Sequence, residues 1–427
     1  SPLVIGVSDK AMFLSSDIPA FLDYTNRTII LNDGEYGFIT PDYVYIESEE
    51  GITIDTSSRI TIVDWTAEMA RKSGFPHFMI KEIYEQPRAV LETIGGFGPD
   101  YEKGAEILSS AEKIYVTAAG TSFHASLYFA LLSMRLSKRP VIPFISSEYY
   151  SYVDSADENS VILAVSQSGE TIDTLSAIRA FKKRGSKVIA LTNVVGSVIA
   201  RESDEAVYTK AGPEIGVAAT KTFVTQLVAL TWIAHLLAYF SGKLNKDELR
   251  NVKSRLELLP DLMNSILSKY DMWSKRVGSW MAKKTSAYYL GRGLSLPIAL
   301  EGALKLKEVA YIHAEGYPAG ESKHGPIALV ELDFPVIFVS IERELETKIL
   351  GNIEEMKARG GKIISIYPQN SIIKEKVDMG AEMPTSDELL LPVLSIVPLQ
   401  LVAYYAAITR GYDPDKPRNL AKTVTVE

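Results

Sequence analysis

Residues Ser166-Gln-Ser-Gly-Glu-Thr171 gather three hydroxyls and a carboxamide around one glycine. They follow the apolar run 161–165 and lead into a helical pattern that reaches Lys183. A helix start presents unpaired N–H groups and a partial positive charge, and serine and threonine add donors without adding charge. One hydroxyl there would be an ordinary helix cap. Ser166, Gln167, Ser168 and Thr171 together favour an anion site, with Gly169 admitting close backbone approach. Gly120-Thr121-Ser122 forms a second strand-to-helix turn of the same kind. Elsewhere, Glu301, Lys305 and Glu308 fall at i, i+4 and i+7, so they share one helix face. From the residues alone this row reads first as a solvated face with a routine Glu–Lys pair.

The elements that must hold these residues occur twice. Gly120 and Gly293 each follow a strand-like run, and Ser166 and Ser340 each end a buried one. Gly185 and Gly360 each separate a helix end from a new strand, and Gln226 and Gln400 each open Gln-Leu-Val-Ala. The four pairs lie 173, 174, 175 and 174 residues apart, which means a duplicated domain. Unalternating Val/Ile-rich runs between helical patterns mark a parallel sheet covered on both faces. Each copy therefore reads as a doubly wound α/β unit, with its ligand at the carboxyl ends of the strands. In the second copy the loop equivalent to 166–171 is Ser340-Ile-Glu-Arg-Glu-Leu-Glu-Thr347, acidic and without glycine. One phosphate site per chain follows, in the first copy.

Residues 1 to about 70 lie outside the repeat. They show short strand-like runs and an Asn32-Asp-Gly hairpin signal, and polar residues 66–74 read as a linker. The apolar stretch 222–240 reads as a buried helix, and 389–408, with Pro392 and Pro398, as a strand, a turn and a buried helix. No membrane span is expected. A net charge of -8 over 427 residues argues against nucleic acid or an anionic membrane as partner. With no cysteine, disulfides, thiolate metal sites and thiol catalysis are excluded within the chain, and a reducing cytoplasm fits. His77, His124, His235, His313 and His324 are scattered, so neither a metal nor any other cofactor is expected.

Ser166-Gln-Ser-Gly-Glu-Thr171, Glu301-Gly-Ala-Leu-Lys-Leu-Lys-Glu308, Ala319-Gly-Glu-Ser-Lys-His-Gly325 and the ending Pro417-Arg-Asn-Leu-Ala-Lys-Thr-Val-Thr-Val-Glu427 resemble the glucosamine-6-phosphate synthase family. The resemblance covers the whole chain. The serine-rich loop alone marks the broader sugar isomerase (SIS) fold, whereas the C-terminal run is far more specific. The resemblance implies a C-terminal part of a glutaminase domain with its linker (1–70) and a first SIS domain with the phosphate site (71–245). A second SIS domain (246–410) and an active-site tail (411–427) follow, both SIS domains being flavodoxin-like. It implies fructose 6-phosphate as substrate and glucosamine 6-phosphate as product. Glu308 matches the carboxylate that shuttles a proton between C1 and C2, and Lys422 the lysine that forms a Schiff base with the open ketose. His324 matches the ring-opening histidine, which in the family reaches the other subunit's site, implying a homodimer. Glu301 and Lys305 join Glu308 as an active-site row. Thr121, Ser122, Ser166, Gln167, Ser168 and Thr171 are implied to bind substrate, and Val217 and Ala421 to touch the sugar through their backbone. Asp17 matches the aspartate that binds the amino group of glutamine.

The family's glutaminase nucleophile is an N-terminal cysteine, which this chain lacks. Glutamine hydrolysis is not expected of the chain as given, and ammonia would come from a glutaminase part outside it. A sugar-phosphate isomerase or deaminase on the same fold is a second reading, which the glutaminase remnant and the C-terminal run oppose. A phosphosugar sensor is a third, but a sensor needs only the phosphate loop.

Overall fold

A computed structural model describes residues 3–422. The N-terminal segment forms β1 (Val4–Val7), β2 (Met12–Ser15), β3 (Arg27–Ile30), β4 (Tyr36–Ile39), β5 (Val44–Glu47) and β6 (Thr61–Ile62). Four of these make an antiparallel sheet in the order β2-β1-β3-β6, while β4 and β5 pair only with each other. The Asn32-Asp-Gly turn is present, with Gly34 at φ +79 and the Glu35 N–H donating to the Asn32 carbonyl. It does not make the expected hairpin, because β3 pairs with β1 and β6 and the chain after the turn enters a different sheet. The local signal specified the turn and left the partner open.

Helices α1 (Phe78–Tyr84), α2 (Gln86–Gly95) and α3 (Pro99–Ser110) lead into the first repeat. It contains β7 (Lys113–Ala118), α4 (Gly120–Ser137), β8 (Val141–Ile145), β9 (Ser160–Ser166), α5 (Ile172–Lys183), β10 (Lys187–Thr192), α6 (Val198–Glu202), β11 (Glu205–Tyr208) and α7 (Lys221–Phe240). After α8 (Lys246–Leu256) and α9 (Leu259–Met281) come β12 (Ser286–Gly291), α10 (Ser295–Ala310), β13 (His313–Pro318), β14 (Pro335–Val339), α11 (Glu346–Lys357), β15 (Lys362–Tyr367), β16 (Met379–Glu382) and α12 (Leu391–Thr409).

The two five-stranded sheets are wholly parallel and run β8-β7-β9-β10-β11 and β13-β12-β14-β15-β16. In both, the second strand lies outside the first and the third lies on its other side. That reversal opens a crevice at the carboxyl ends of the first and third strands, the flavodoxin-like arrangement. Every residue of β9 is buried, which explains its unbroken apolar sequence.

One hydrophobic core joins the two sheets, containing Val116 and Val165 from the first and Tyr289, Val339 and Ile366 from the second. Helices α4, α7, α9, α10 and α12 fill the space between. Both α7 and α12 are long and apolar enough to cross a membrane, yet 89% of each apolar window is buried in this core. Each fully buried Leu, Val or Phe there stabilises the fold by about 1.5–3 kcal/mol. The expected strand within 389–408 is absent, since a turn at 388–390 leads directly into one helix over 391–409. Pro392 sits in its first turn, where no N–H is required, and Pro398 is tolerated inside. All-round packing against α9 and α10 outweighs the one missing hydrogen bond.

After α12 the chain returns to the first repeat and is fastened there by Asp415. Its buried carboxylate accepts from the Phe78 and Met79 N–H groups at 2.8 and 2.9 Å, the first two of α1, and lies 3.2 Å from Lys72 Nζ. Asp415→Ala should strip these donors of their partner and cost about 1–3 kcal/mol. Thermal unfolding should report the loss, and limited proteolysis should cut the variant's tail well before the wild type's. Equal protease resistance would mean that the tail is held by other contacts.

Candidate active site

Strands β7 and β9 are hydrogen-bonded neighbours, so the turns that follow them meet at the crevice of the first sheet. Ser166 Oγ accepts from the Gly169 N–H at 3.0 Å and lies 3.1 Å from Thr171 Oγ1, while Ser168 Oγ accepts from the Glu170 N–H at 3.2 Å. Thr171 occupies the N-cap position of α5 in an extended backbone conformation, and its side chain makes no capping hydrogen bond. Gly169 has φ +68, and a side chain there would collide with Ser197 Oγ, so the turn requires glycine. Ser122, at the start of α4, is buried and accepts from Gln226 Nε2 at 2.9 Å. Both turns are thus held in shape by their own hydrogen bonds and by Gln226.

The row on α10 is not a solvated face. Glu301 and Lys305 are fully buried and Glu308 is partly so, because α4 of the first repeat packs over them. Lys305 Nζ lies 3.3 Å from Glu301 Oε1 and 2.5 Å from Glu308 Oε2, and donates to Thr121 Oγ1 at 3.1 Å. Thr121 Oγ1 in turn donates to Glu301 Oε1 at 3.0 Å, and His124 Nδ1 lies 2.8 Å from Glu301 Oε2. Burial alone would discharge Lys305, but the Glu301 and Glu308 carboxylates outweigh it and hold its pKa above that of free lysine. The result is a fixed cation between two carboxylates, tied through Thr121 to the 120–122 turn.

A second cluster surrounds Lys422. Its ammonium donates to Glu214 Oε2 at 2.8 Å and to the Gly216 carbonyl at 2.7 Å. Glu214 is buried and also accepts from the N–H groups of Thr220 and Thr222 and from Thr222 Oγ1. Burial would raise its pKa, but the Lys422 charge and these donors lower it to about 2. Nearby, burial and then the Glu214 charge raise the Glu82 carboxyl to about 7. Lys422, Glu214 and Ala421 line a cavity of about 250 Å³ together with Gln167, Ser168 and Asp17. Asp17 of the N-terminal segment therefore opens onto the same space as the serine-rich loop.

His324 stands apart. It is exposed at the end of a short turn, Glu321–His324, and forms no hydrogen bond or ion pair with another described residue. Val217 contributes its N–H to the Asp415 carbonyl at 3.4 Å. Residues 423–427, part of the expected active-site tail, lie outside the described residues. Glu214 and His124 are built into the clusters although sequence reading did not single them out. Among the described residues no group of three or more His, Asp or Glu side chains is placed to hold a metal ion.

The second repeat shows what closes its own crevice. Glu342, equivalent to Ser168, is buried and its Oε2 accepts from the Leu294 N–H at 2.6 Å, at the turn equivalent to Thr121. Its Oε1 pairs with Arg135 of α4, and a side chain at Gly293 would collide with the carboxylate. A protein carboxylate thus occupies the space that a bound anion would need.

The fold and these clusters define a SIS-domain protein, and the SIS domain family matches residues 107–236 and 281–410, one match for each parallel sheet. The chain is 51% identical, over its whole length, to the glutamine–fructose-6-phosphate aminotransferase (isomerizing) of Pyrobaculum aerophilum, covering 70% of that protein. Among solved structures, the C-terminal domain of glucosamine-fructose-6-phosphate aminotransferase from Francisella tularensis matches 81% of this chain and 100% of its own, with TM-score 0.76 at 39% identity. Glucosamine-6-phosphate deaminase from Thermotoga maritima matches 81% of this chain and 99% of its own with TM-score 0.64 at 22% identity, which shows a shared fold. The chain belongs to the glutamine–fructose-6-phosphate aminotransferase family.

The raised Glu82 pKa has a testable linkage. A carboxyl titrating higher in the folded state than its unfolded value of 4.5 is protonated more in the folded chain, so stability falls as pH rises from about 4.5 to about 7. Glu82→Gln removes that loss. The stability difference between variant and wild type should grow in the variant's favour by roughly 3 kcal/mol between pH 4.5 and pH 8. Denaturant unfolding at a series of pH values measures it, and a difference independent of pH would mean that Glu82 titrates normally.

Proposed function

We propose that this chain isomerises and aminates fructose 6-phosphate to glucosamine 6-phosphate, the reaction named for its relatives. The phosphate sits on the turns 120–122 and 166–171, where Ser168 stands in place of the second repeat's Glu342 and the Glu170 carboxylate is turned to the Val198 N–H. Lys422, once its ammonium has given up a proton, attacks the open-chain C2 carbonyl, whose oxygen leaves as water to give an imine, and Glu308 moves the proton between C1 and C2. Lys305 and Glu301 hold Glu308 in place. The observation that carries the reading is Thr121, whose hydroxyl accepts from Lys305 and donates to Glu301. It joins the anion turn to the acid/base row in one rigid unit. Burying Lys305 and Glu301 costs several kcal/mol before pairing, an expense that passive phosphate sensing does not require.

His324 acts on ring opening from the other subunit of a homodimer, a role supported by its exposure and its separation from the other groups. The same reading implies a cytoplasmic enzyme. Ammonia is the nitrogen source to test first, since these 427 residues contain no thiol to attack glutamine. Hexosamine phosphate formed from fructose 6-phosphate with ammonium is the direct assay, and its absence in an active isomerase would confine the reading to isomerisation.

Glu308→Gln keeps the shape and deletes the proton acceptor. Exchange of the sugar's C1 and C2 protons with solvent should fall by about 10²–10⁴-fold, with substrate affinity held within a few fold. Exchange at the wild-type rate would remove Glu308 from the chemistry. Ser166→Ala combined with Ser168→Ala should instead raise KM more than it lowers kcat, because phosphate contacts persist from ground state to transition state. An unchanged KM would place the phosphate elsewhere. Mixing inactive His324→Ala with inactive Glu308→Gln chains under subunit exchange should restore activity in the mixed dimers. No recovery despite demonstrated exchange would place His324 in its own subunit's site.

A further inference from the structure

Lys422 is aimed by a backbone segment that a second, more distant carboxyl holds in place. Residues 213–219 lie between β11 and α7 and contain no helix or strand. Glu82, on α1 and buried, accepts at Oε1 from the N–H groups of Ile215 at 2.5 Å and Gly216 at 3.3 Å. On its other side the same glycine offers its carbonyl to Lys422 Nζ at 2.7 Å. The second partner of Lys422 is Glu214, whose carboxylate is fixed by Thr220 and Thr222. Two of the three ammonium hydrogens are therefore committed, and the third direction is left for the cavity that Gln167 and Ser168 line. Glu82 Oε2 is buried without a partner, and a Cβ on Gly216 would lie 2.9 Å from it. No step of the proposed reaction uses this carboxyl, yet the fold has buried it against the peptide that steers the amine.

We infer that Glu82 is a positioning residue for Lys422, fixing the Gly216 carbonyl so that the amine presents its remaining direction to the substrate carbonyl. The inference rests on the reading of Lys422 as the imine-forming lysine. Without Glu82 the 215–216 N–H groups lose their acceptor, the Gly216 carbonyl turns away, and Lys422 keeps only its Glu214 contact. Substrate phosphate binding, made at separate turns, is untouched. The loss therefore falls on imine formation rather than on affinity.

The test is reductive trapping on the full chain. Fructose 6-phosphate and borohydride are added together, so that hydride reduces the imine carbon and leaves a stable secondary amine, and peptide mass mapping quantifies the label at Lys422. Wild type should be labelled there. Glu82→Ala should slow labelling at least tenfold with the half-saturating substrate concentration within threefold of wild type. Glu82→Gln, which keeps an acceptor oxygen for the two N–H groups, should stay within threefold of the wild-type rate. Gly216→Ala crowds the same contact from the other side and should also slow labelling, and it decides the matter if Glu82→Ala does not fold. Labelling of folded Glu82→Ala, or of Gly216→Ala, at the wild-type rate would overturn the positioning role while leaving Lys422 as the nucleophile. Absence of label at Lys422 in wild type would overturn the underlying reading and the inference with it.

Discussion

A lysine ammonium with no exposure to solvent cannot stand alone, and Lys305 is such a group. Removing it from water costs several kcal/mol unless nearby charges and dipoles replace the hydration. Glu301 and Glu308, one turn away on either side, supply the charges, and Thr121 from the other repeat supplies a lone pair. Their placement follows from that requirement. Because α4 must bring Thr121 and His124 against α10, the two repeats cannot shift relative to each other without exposing or orphaning the cation. The apolar core shared by the two sheets sets the same spacing independently. Packing brings the helices together, and the ion cluster specifies their register.

Duplication gave the chain two crevices of the same topology, and their chemistry has diverged. In the first, the hydroxyls of the 166–171 turn bond to its own N–H groups and to one another, and no carboxylate stands at position 168. In the second, Glu342 fills the corresponding space and satisfies the Leu294 N–H, with Arg135 from the first repeat as counter-charge. Burial raises the Glu342 pKa and Arg135 opposes the shift. The second crevice is thus stapled by an internal anion, while α10 of the same repeat packs against α4 of the first. The second repeat supplies the Glu301–Lys305–Glu308 row, and the first supplies the hydroxyl-rich turns that adjoin it.

How much of this was legible in the sequence depends on whether the cause was local. The 166–171 turn could be read because its strand, glycine, hydroxyls and helix are contiguous, and the repeat could be read because four separations agree. The burial of Glu301 and Lys305 could not be read from α10, since what covers them lies about 180 residues earlier, on α4. The hairpin expected at Asn32 failed for the same reason: the turn is local and strand pairing is not. Helix α12 was misread because two prolines were weighed as breaks, when one occupies the first turn and the other is held by packing on all sides. Glu214 and Glu82 carry no motif of spacing. Each is an acidic residue that becomes informative only when the backbone N–H groups it serves are known.

The two halves of the candidate site also differ in what holds them. The Glu301–Lys305–Glu308 row and the 120–122 and 166–171 turns sit on helices and strand ends within the shared core. The Lys422 cluster is assembled from four separated pieces: α1 with Glu82, the irregular segment 213–219, the start of α7, and the returning tail. The Asp415 carboxylate joins the tail to the start of α1, so α1 holds both Lys422's segment, through Glu82, and the tail that carries Lys422 itself. A short helix of seven residues thus sets both ends of the contact. Met79, Ile80 and Ile83 bury α1 in the core shared by the sheets, so the packing that seats this helix also fixes both partners of the lysine's contact.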